Sequence, residues 1–246
     1  MVGSHITLDW GNLIFPDHIP LEKMIILDRN TIIARDSNSE EESQLLTQAD
    51  AIKAVLEKGY FTPNINQFLI YFKNIISAHQ GKTKLFNGRR EELPKKEVDE
   101  IYDNMNIGDR FDEDWIHTPE IKTRLDAYFV EKDNELFMRF NHRLNNGEIT
   151  FEEVPIDYVK GACSSDNLFI GACYLTPDSA NKFGMPTKFD KNLQKGEGNI
   201  LFECPEDGRA AEYYVSPKVG PVINCGADPN LKSIGTLYCA EGILKK

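Results

Sequence analysis

Thr62-Pro63-Asn64-Ile65-Asn66-Gln67-Phe68-Leu69-Ile70-Tyr71-Phe72-Lys73-Asn74-Ile75-Ile76 decides the class of fold. A Thr followed by Pro is a helix start: the hydroxyl accepts from an orphan backbone N–H, and the ring's fixed φ suits the first helical position. Ile65, Phe68, Leu69, Phe72, Ile75 and Ile76 then recur at intervals of three and four, which gives a helix predicted over 63–79 one continuous apolar face before Gly81. That face needs a partner surface. Each large side chain on it contributes ~1.5–3 kcal/mol once buried.

Outward from this helix the punctuation continues. Ser39 with Glu42 forms a capping box ahead of Leu45, Ala49, Ile52 and Leu56, which predicts a helix over about 40–58 that Gly59 stops. Pro94 to Asn104 reads as a third helix, and Thr118-Pro119 and Thr176-Pro177 as starts of two short ones. Met24–Leu27 and Thr31–Ala34 flank Asp28-Arg29-Asn30 as a hairpin. Ala127–Val130, Leu136–Phe140 and Ile149–Val154, joined by Lys132-Asp133-Asn134 and Asn145-Asn146-Gly147, read as a three-stranded antiparallel meander. Further strands are predicted at Leu168–Leu175, Ile200–Glu203, Glu212–Val215, Val222–Cys225 and Thr236–Cys239.

The fold class is therefore α+β: antiparallel strands with two main amphipathic helices, several short ones and a strand-rich C-terminal part. Ten of the 17 glycines and all five cysteines follow residue 160, a change of texture without a Ser/Gly linker, so residues 1–246 are expected to form a single domain.

With 41% hydrophobic residues, the 246-residue chain has ample material for a core. Its formal charge of -11 repels phosphate backbones and anionic membranes and so argues against nucleic acid as a partner. No apolar run reaches bilayer length, and Met1 to Pro16 lack the basic start and apolar centre of a targeting signal. The expectation is a soluble chain in a reducing, cytoplasmic-type compartment, its five cysteines buried as free thiols.

Histidine and cysteine order restricts the chemistry. His5, His18, His79, His117 and His142 all precede Cys163, Cys173, Cys204, Cys225 and Cys239, which excludes a nucleophilic Cys served by a later His. The thiol arrangements left are His142 or His117 acting on Cys225 or Cys163. Gly226 beside Cys225 favours that thiol, because it allows close backbone approach and an N–H aimed at an oxyanion. Gly161-Ala162-Cys163-Ser164-Ser165 shares only its Ala-Cys with the caspase signature and lacks the Gln, Arg and trailing Gly. No Gly-x-Ser-x-Gly elbow exists, and no CxxC pair signals zinc.

Two other motifs fail on inspection. His79-Gln80-Gly81-Lys82-Thr83 ends like a phosphate loop but has Ile76 where the first Gly belongs, and it closes a helix instead of following a strand. Asp109 to Glu120 has the length of an EF-hand loop, yet Phe111 and Asp114 occupy positions that need an oxygen ligand and a Gly. Asp109, Asp112 and Asp114 remain as a weak, irregular cation candidate. No cofactor motif is present and none is expected.

Charge order supplies the positive signal. Lys82 to Lys96 carries six bases (Lys82, Lys84, Arg89, Arg90, Lys95, Lys96) against two acids, and Glu97 to Glu135 reverses this with 13 acids and four bases. Opposed patches steer a complementary protein and fix its orientation. The sequence thus points to a non-catalytic protein-binding, adaptor or assembly component, with the basic residues as its partner-binding surface; a cysteine-dependent hydrolase or transferase is the alternative.

Overall fold

The computed structural model describes residues 13–15, 18–28, 30–35, 47–105, 123–156, 172–187, 192–193, 195–196, 198–216, 219–230 and 237–244. In chain order the strands are β1 (Leu13–Ile14), β2 (Met24–Ile26), β3 (Thr31–Ala34), β4 (Thr123–Lys132), β5 (Glu135–Asn145), β6 (Glu148–Pro155), β7 (Ala172–Leu175), β8 (Ile200–Glu203), β9 (Ala210–Ser216), β10 (Gly220–Ala227), β11 (Cys239–Glu241) and β12 (Ile243–Leu244). The helices are α1 (Gln48–Glu57), α2 (Ile65–His79) and α3 (Lys95–Asn104). The fold is α+β.

Thr47 opens α1 by accepting from the Asp50 amide; the Ser39–Glu42 box and Leu45 lie outside the described residues. α2 begins at Asn64, not at Thr62. Asn64 Oδ1 accepts the Gln67 amide at 2.9 Å and Gln67 Oε1 accepts the Asn64 amide at 3.0 Å, a reciprocal cap that Thr62 does not make. Pro63 stays outside the helix because its carbonyl accepts the Asp126 amide of β4 at 2.8 Å, tying the approach to the sheet. α3 follows Pro94 as its sequence indicated. Thr176-Pro177 yields only a single 3-10 turn, Pro177–Ser179. Beyond it Asn181 Oδ1 takes the amides of Phe183 and Met185, and this local side-chain bonding competes with helix propagation. Thr118-Pro119 lies outside the described residues.

Among the described residues the central sheet has seven strands in the order β6-β5-β4-β9-β10-β8-β7. All its pairs are antiparallel except β8 with β10. The meander forms β4 to β6, its two turns made by Asp133-Asn134 and Asn146-Gly147, all four at positive φ as the type I′ two-residue hairpin requires. A three-stranded sheet, β11-β3-β2, contains the hairpin read around Asp28, whose carboxylate accepts the Asn30 and Thr31 amides, and β1 pairs with β12.

Most of the predicted helix faces are buried, but on α1 Ala49 is exposed and Ala51 is buried in its stead. Ile52 and Leu56 of α1 join Phe68, Leu69, Phe72 and Ile76 of α2 in an apolar cluster that reaches Ile33, Phe129, Met138, Phe202 and Ile223. Phe68 lies 4.5 Å from the Tyr213 ring of β9, ring centroid to ring centroid. No helix among the described residues is long and apolar enough to cross a membrane. One cysteine expectation is corrected: Cys204 is disulfide-bonded, whereas Cys173, Cys225 and Cys239 are free.

Candidate functional site

The far half of the β5–β6 ribbon departs from regular geometry, and its irregularity begins on β4. The β4–β5 ladder runs from Lys132↔Glu135 to Tyr128↔Arg139. Past that point Asp126, nearly fully buried, stands in for a backbone acceptor. Its Oδ2 takes the His142 amide at 2.8 Å, and its Oδ1 bonds His142 Nδ1. A buried carboxylate with two donors is satisfied, and the ring it holds has one orientation.

Opposite this anchor β5 carries a bulge. Phe140 pairs with Glu152 and Arg143 with Thr150, so Asn141 and His142 together face the single residue Phe151. Asn141 takes φ 53°, a left-handed conformation that Asn tolerates better than most side chains. It is locked from both sides: Asn64 Nδ2 donates to its Oδ1 at 2.7 Å, and its Nδ2 donates to Glu152 Oε1 at 2.9 Å. The Asn64 that caps α2 thus also fixes the bulge. Arg143 then turns inward over the Phe61 ring, 3.9 Å from its centroid, and donates to the His142 carbonyl and to Glu241.

The extra residue changes the phase of β5. Leu136, Met138 and Phe140 face the core. With unbroken alternation Leu144 would follow them, but the bulge sends it to the opposite face beside its cross-strand partner Ile149. His142 and Arg139 flank the Phe151 ring on that face, at 5.5 and 4.9 Å from its centroid. Leu144, Ile149 and Phe151 are 38%, 39% and 45% exposed. Among the described residues only Phe86 joins them as an exposed large hydrophobic. A polar rim closes one end: Glu153 bonds Lys132 and Arg139, and these two cations hold its carboxyl below the ordinary glutamate range.

The basic segment shows the reverse. Lys84 pairs with Glu92 at 2.6 Å, Arg89 with Glu22 at 3.1 Å, Lys95 with Asp99 at 2.6 Å and Lys96 with Glu100 at 3.5 Å. Lys95 also bonds the His79 carbonyl, and its hydrogen bond, with help from His79, holds the Asp99 carboxyl below its ordinary value. Lys82 and Arg90 are exposed. Four of the six bases named from the sequence are therefore engaged by neighbouring carboxylates.

The thiol candidates do not converge on His142. Cys225 is fully buried in the core cluster, where desolvation and Glu203 push its thiol well above the ordinary value. β4 and β9 stand between its strand and that of His142, three strand spacings or ~14 Å. Burial also raises Cys239, and raises Cys173 to about 12. A thiolate nucleophile needs the opposite environment. Cys163, His117, Asp109, Asp112 and Asp114 lie outside the described residues. Among the described residues no group of three or more His, Cys, Asp or Glu side chains is placed to hold a metal.

Two polar features were not singled out from the sequence. Asp126 is one. The other crosses the middle of the sheet: Arg124 faces Glu212 at 3.4 Å, and Asn224 donates to Glu212 at 3.3 Å, all three from registered positions on β4, β9 and β10. Burial lowers the Arg124 pKa while Glu212 opposes the shift, as expected for an ion pair inside a sheet. The signal that could have located the ribbon is a phase change in β6, where Ile149 and Phe151 are odd and Val154 and Ile156 even. A strand cannot bury both sets on one face.

Comparison of the chain with protein families, with curated proteins and with solved structures returns no match.

Proposed function

We propose that the chain is a non-catalytic protein-binding or assembly component whose docking surface is the outer face of the β5–β6 ribbon. The observation that carries this reading is the convergence of Leu144, Ile149 and Phe151, three of the four exposed large hydrophobics among the described residues, on one face of one ribbon. Single exposed apolar residues need no explanation, whereas a contiguous rimmed cluster marks an interaction surface. Rigidity supports it further. The ribbon is pinned through Asp126, Asn64 and Arg143, so a partner meets a surface that loses little conformational entropy on binding. Charge supports the same ribbon, since β6 carries Glu148 and Glu152 along its exposed length in an acidic chain.

The test is site-specific photocrosslinking in extract of the source cells. A crosslinker at position 151 is expected to give discrete adducts that one at position 82 does not. Equal adducts at both positions, or adducts at 82 alone, would return the docking surface to the basic segment.

A further inference from the structure

We infer that the occupant of this surface is an extended basic segment of a partner protein that adds to the open edge of β6 as an eighth strand; this rests on the docking reading above. Among the described residues β6 is the terminal strand of the central sheet, so one side of its backbone has no described strand as neighbour. Residues 148–152 are all exposed. Unpaired edge N–H and C=O groups are a template for strand addition unless something blunts them. The strand's only Pro is Pro155, at its far end, and no bulge interrupts β6 itself.

The side chains state what the added strand must carry. Glu148, Thr150 and Glu152 share one face, while Ile149 and Phe151 share the other. A strand laid alongside therefore meets carboxylate, apolar, hydroxyl, apolar and carboxylate positions in turn. Glu148 has an exposed side chain, and Glu152, which accepts one bond from Asn141, keeps acceptor capacity. The complementary order is lysine or arginine, apolar, threonine-like, apolar, lysine or arginine. It reads the same in both directions, so parallel and antiparallel addition satisfy it equally. A second copy of the chain is disfavoured in the antiparallel register that sets Ile149 against Phe151, where Glu148 faces Glu152 twice and like charges directly opposite are destabilising.

The test uses the full chain and capped, fluorescent synthetic strands read by anisotropy, with sedimentation to report the oligomeric state. A strand of lysine, valine, threonine, phenylalanine and lysine, flanked by serines, is expected to bind and to weaken as salt rises. Replacing its lysines by glutamates is expected to weaken binding at least about tenfold, proline at its centre to abolish it, and Glu148→Lys in the chain to weaken it about fivefold. Equal binding of the lysine and glutamate strands, lost together in Phe151→Ser, would overturn the basic occupant and leave the ribbon as the docking face. Binding of no strand, or binding indifferent to Phe151→Ser, would overturn the inference, with the crosslinking at position 151 deciding separately whether the docking face stands. A dimer of the chain that Glu148→Lys dissociates would also overturn it, assigning the edge to a second copy.

Discussion

Residues 82–96 and the ribbon of residues 141–153 are both charged and both at the surface, yet they arrange their polar groups in opposite ways. In the first, Lys84, Arg89, Lys95 and Lys96 lie on neighbouring carboxylates, and the segment's local charge is largely answered within the chain. In the second, the polar contacts run inward, from His142 to Asp126 and from Asn141 to Asn64, and they fix a backbone whose outer face is apolar. A run of charges in a sequence reports composition and not availability. An exposed apolar face held by partly buried hydrogen bonds reports a surface that none of the described residues covers.

The largest expected effect separates the two regions by stability. Asp126→Ala leaves the His142 amide and ring without their acceptor in a partly buried site, which is expected to cost about 2–3 kcal/mol. Lys84→Ala breaks an exposed ion pair, and its expected cost is within about 0.5 kcal/mol. Urea denaturation of both variants checks this; similar midpoints would show that the ribbon is no better anchored than the basic segment.

A smaller effect sharpens the description of the ribbon face. Phe151→Ser is expected to change stability by no more than about 1 kcal/mol, because the ring is nearly half exposed and makes its contacts at the surface. A loss of several kcal/mol in the same denaturation experiment would mean that Phe151 is part of the core and not of a docking face.

The third effect is a matter of pH. Lys132 and Arg139 lower the Glu153 pKa in the folded chain, so its stabilising contribution is complete above the ordinary glutamate range and is lost as pH falls through the lowered folded value. Glu153→Gln is accordingly expected to melt below the parent chain at neutral pH and to melt with it in strong acid. A difference that persists in acid would assign the effect of Glu153 to packing.

Much of the fold was legible because its signals are local. The apolar spacing of Phe68, Leu69, Phe72 and Ile76 sets α2, and Asp133-Asn134 with Asn146-Gly147 sets the meander. The true cap at Asn64 was hidden because Thr62-Pro63 carries an equally good local start; the choice between them depends on the bond from the Asp126 amide to Pro63, between residues distant in sequence. The site was hidden for the same reason. Asp126 acquires its role only when β4 and β5 separate, and the bulge at Asn141–His142 reverses the phase that alternation assigns to Leu144. Disulfide formation at Cys204 is likewise a property of proximity, which spacing along the chain does not report.

Amide hydrogen exchange of the full chain, with and without the lysine strand, tests the central claim most directly. The expected result is new protection confined to β6, at the amides on its open side, with residues 82–96 unchanged. Protection centred on residues 82–96, with β6 exchanging as it does in the free chain, would contradict it.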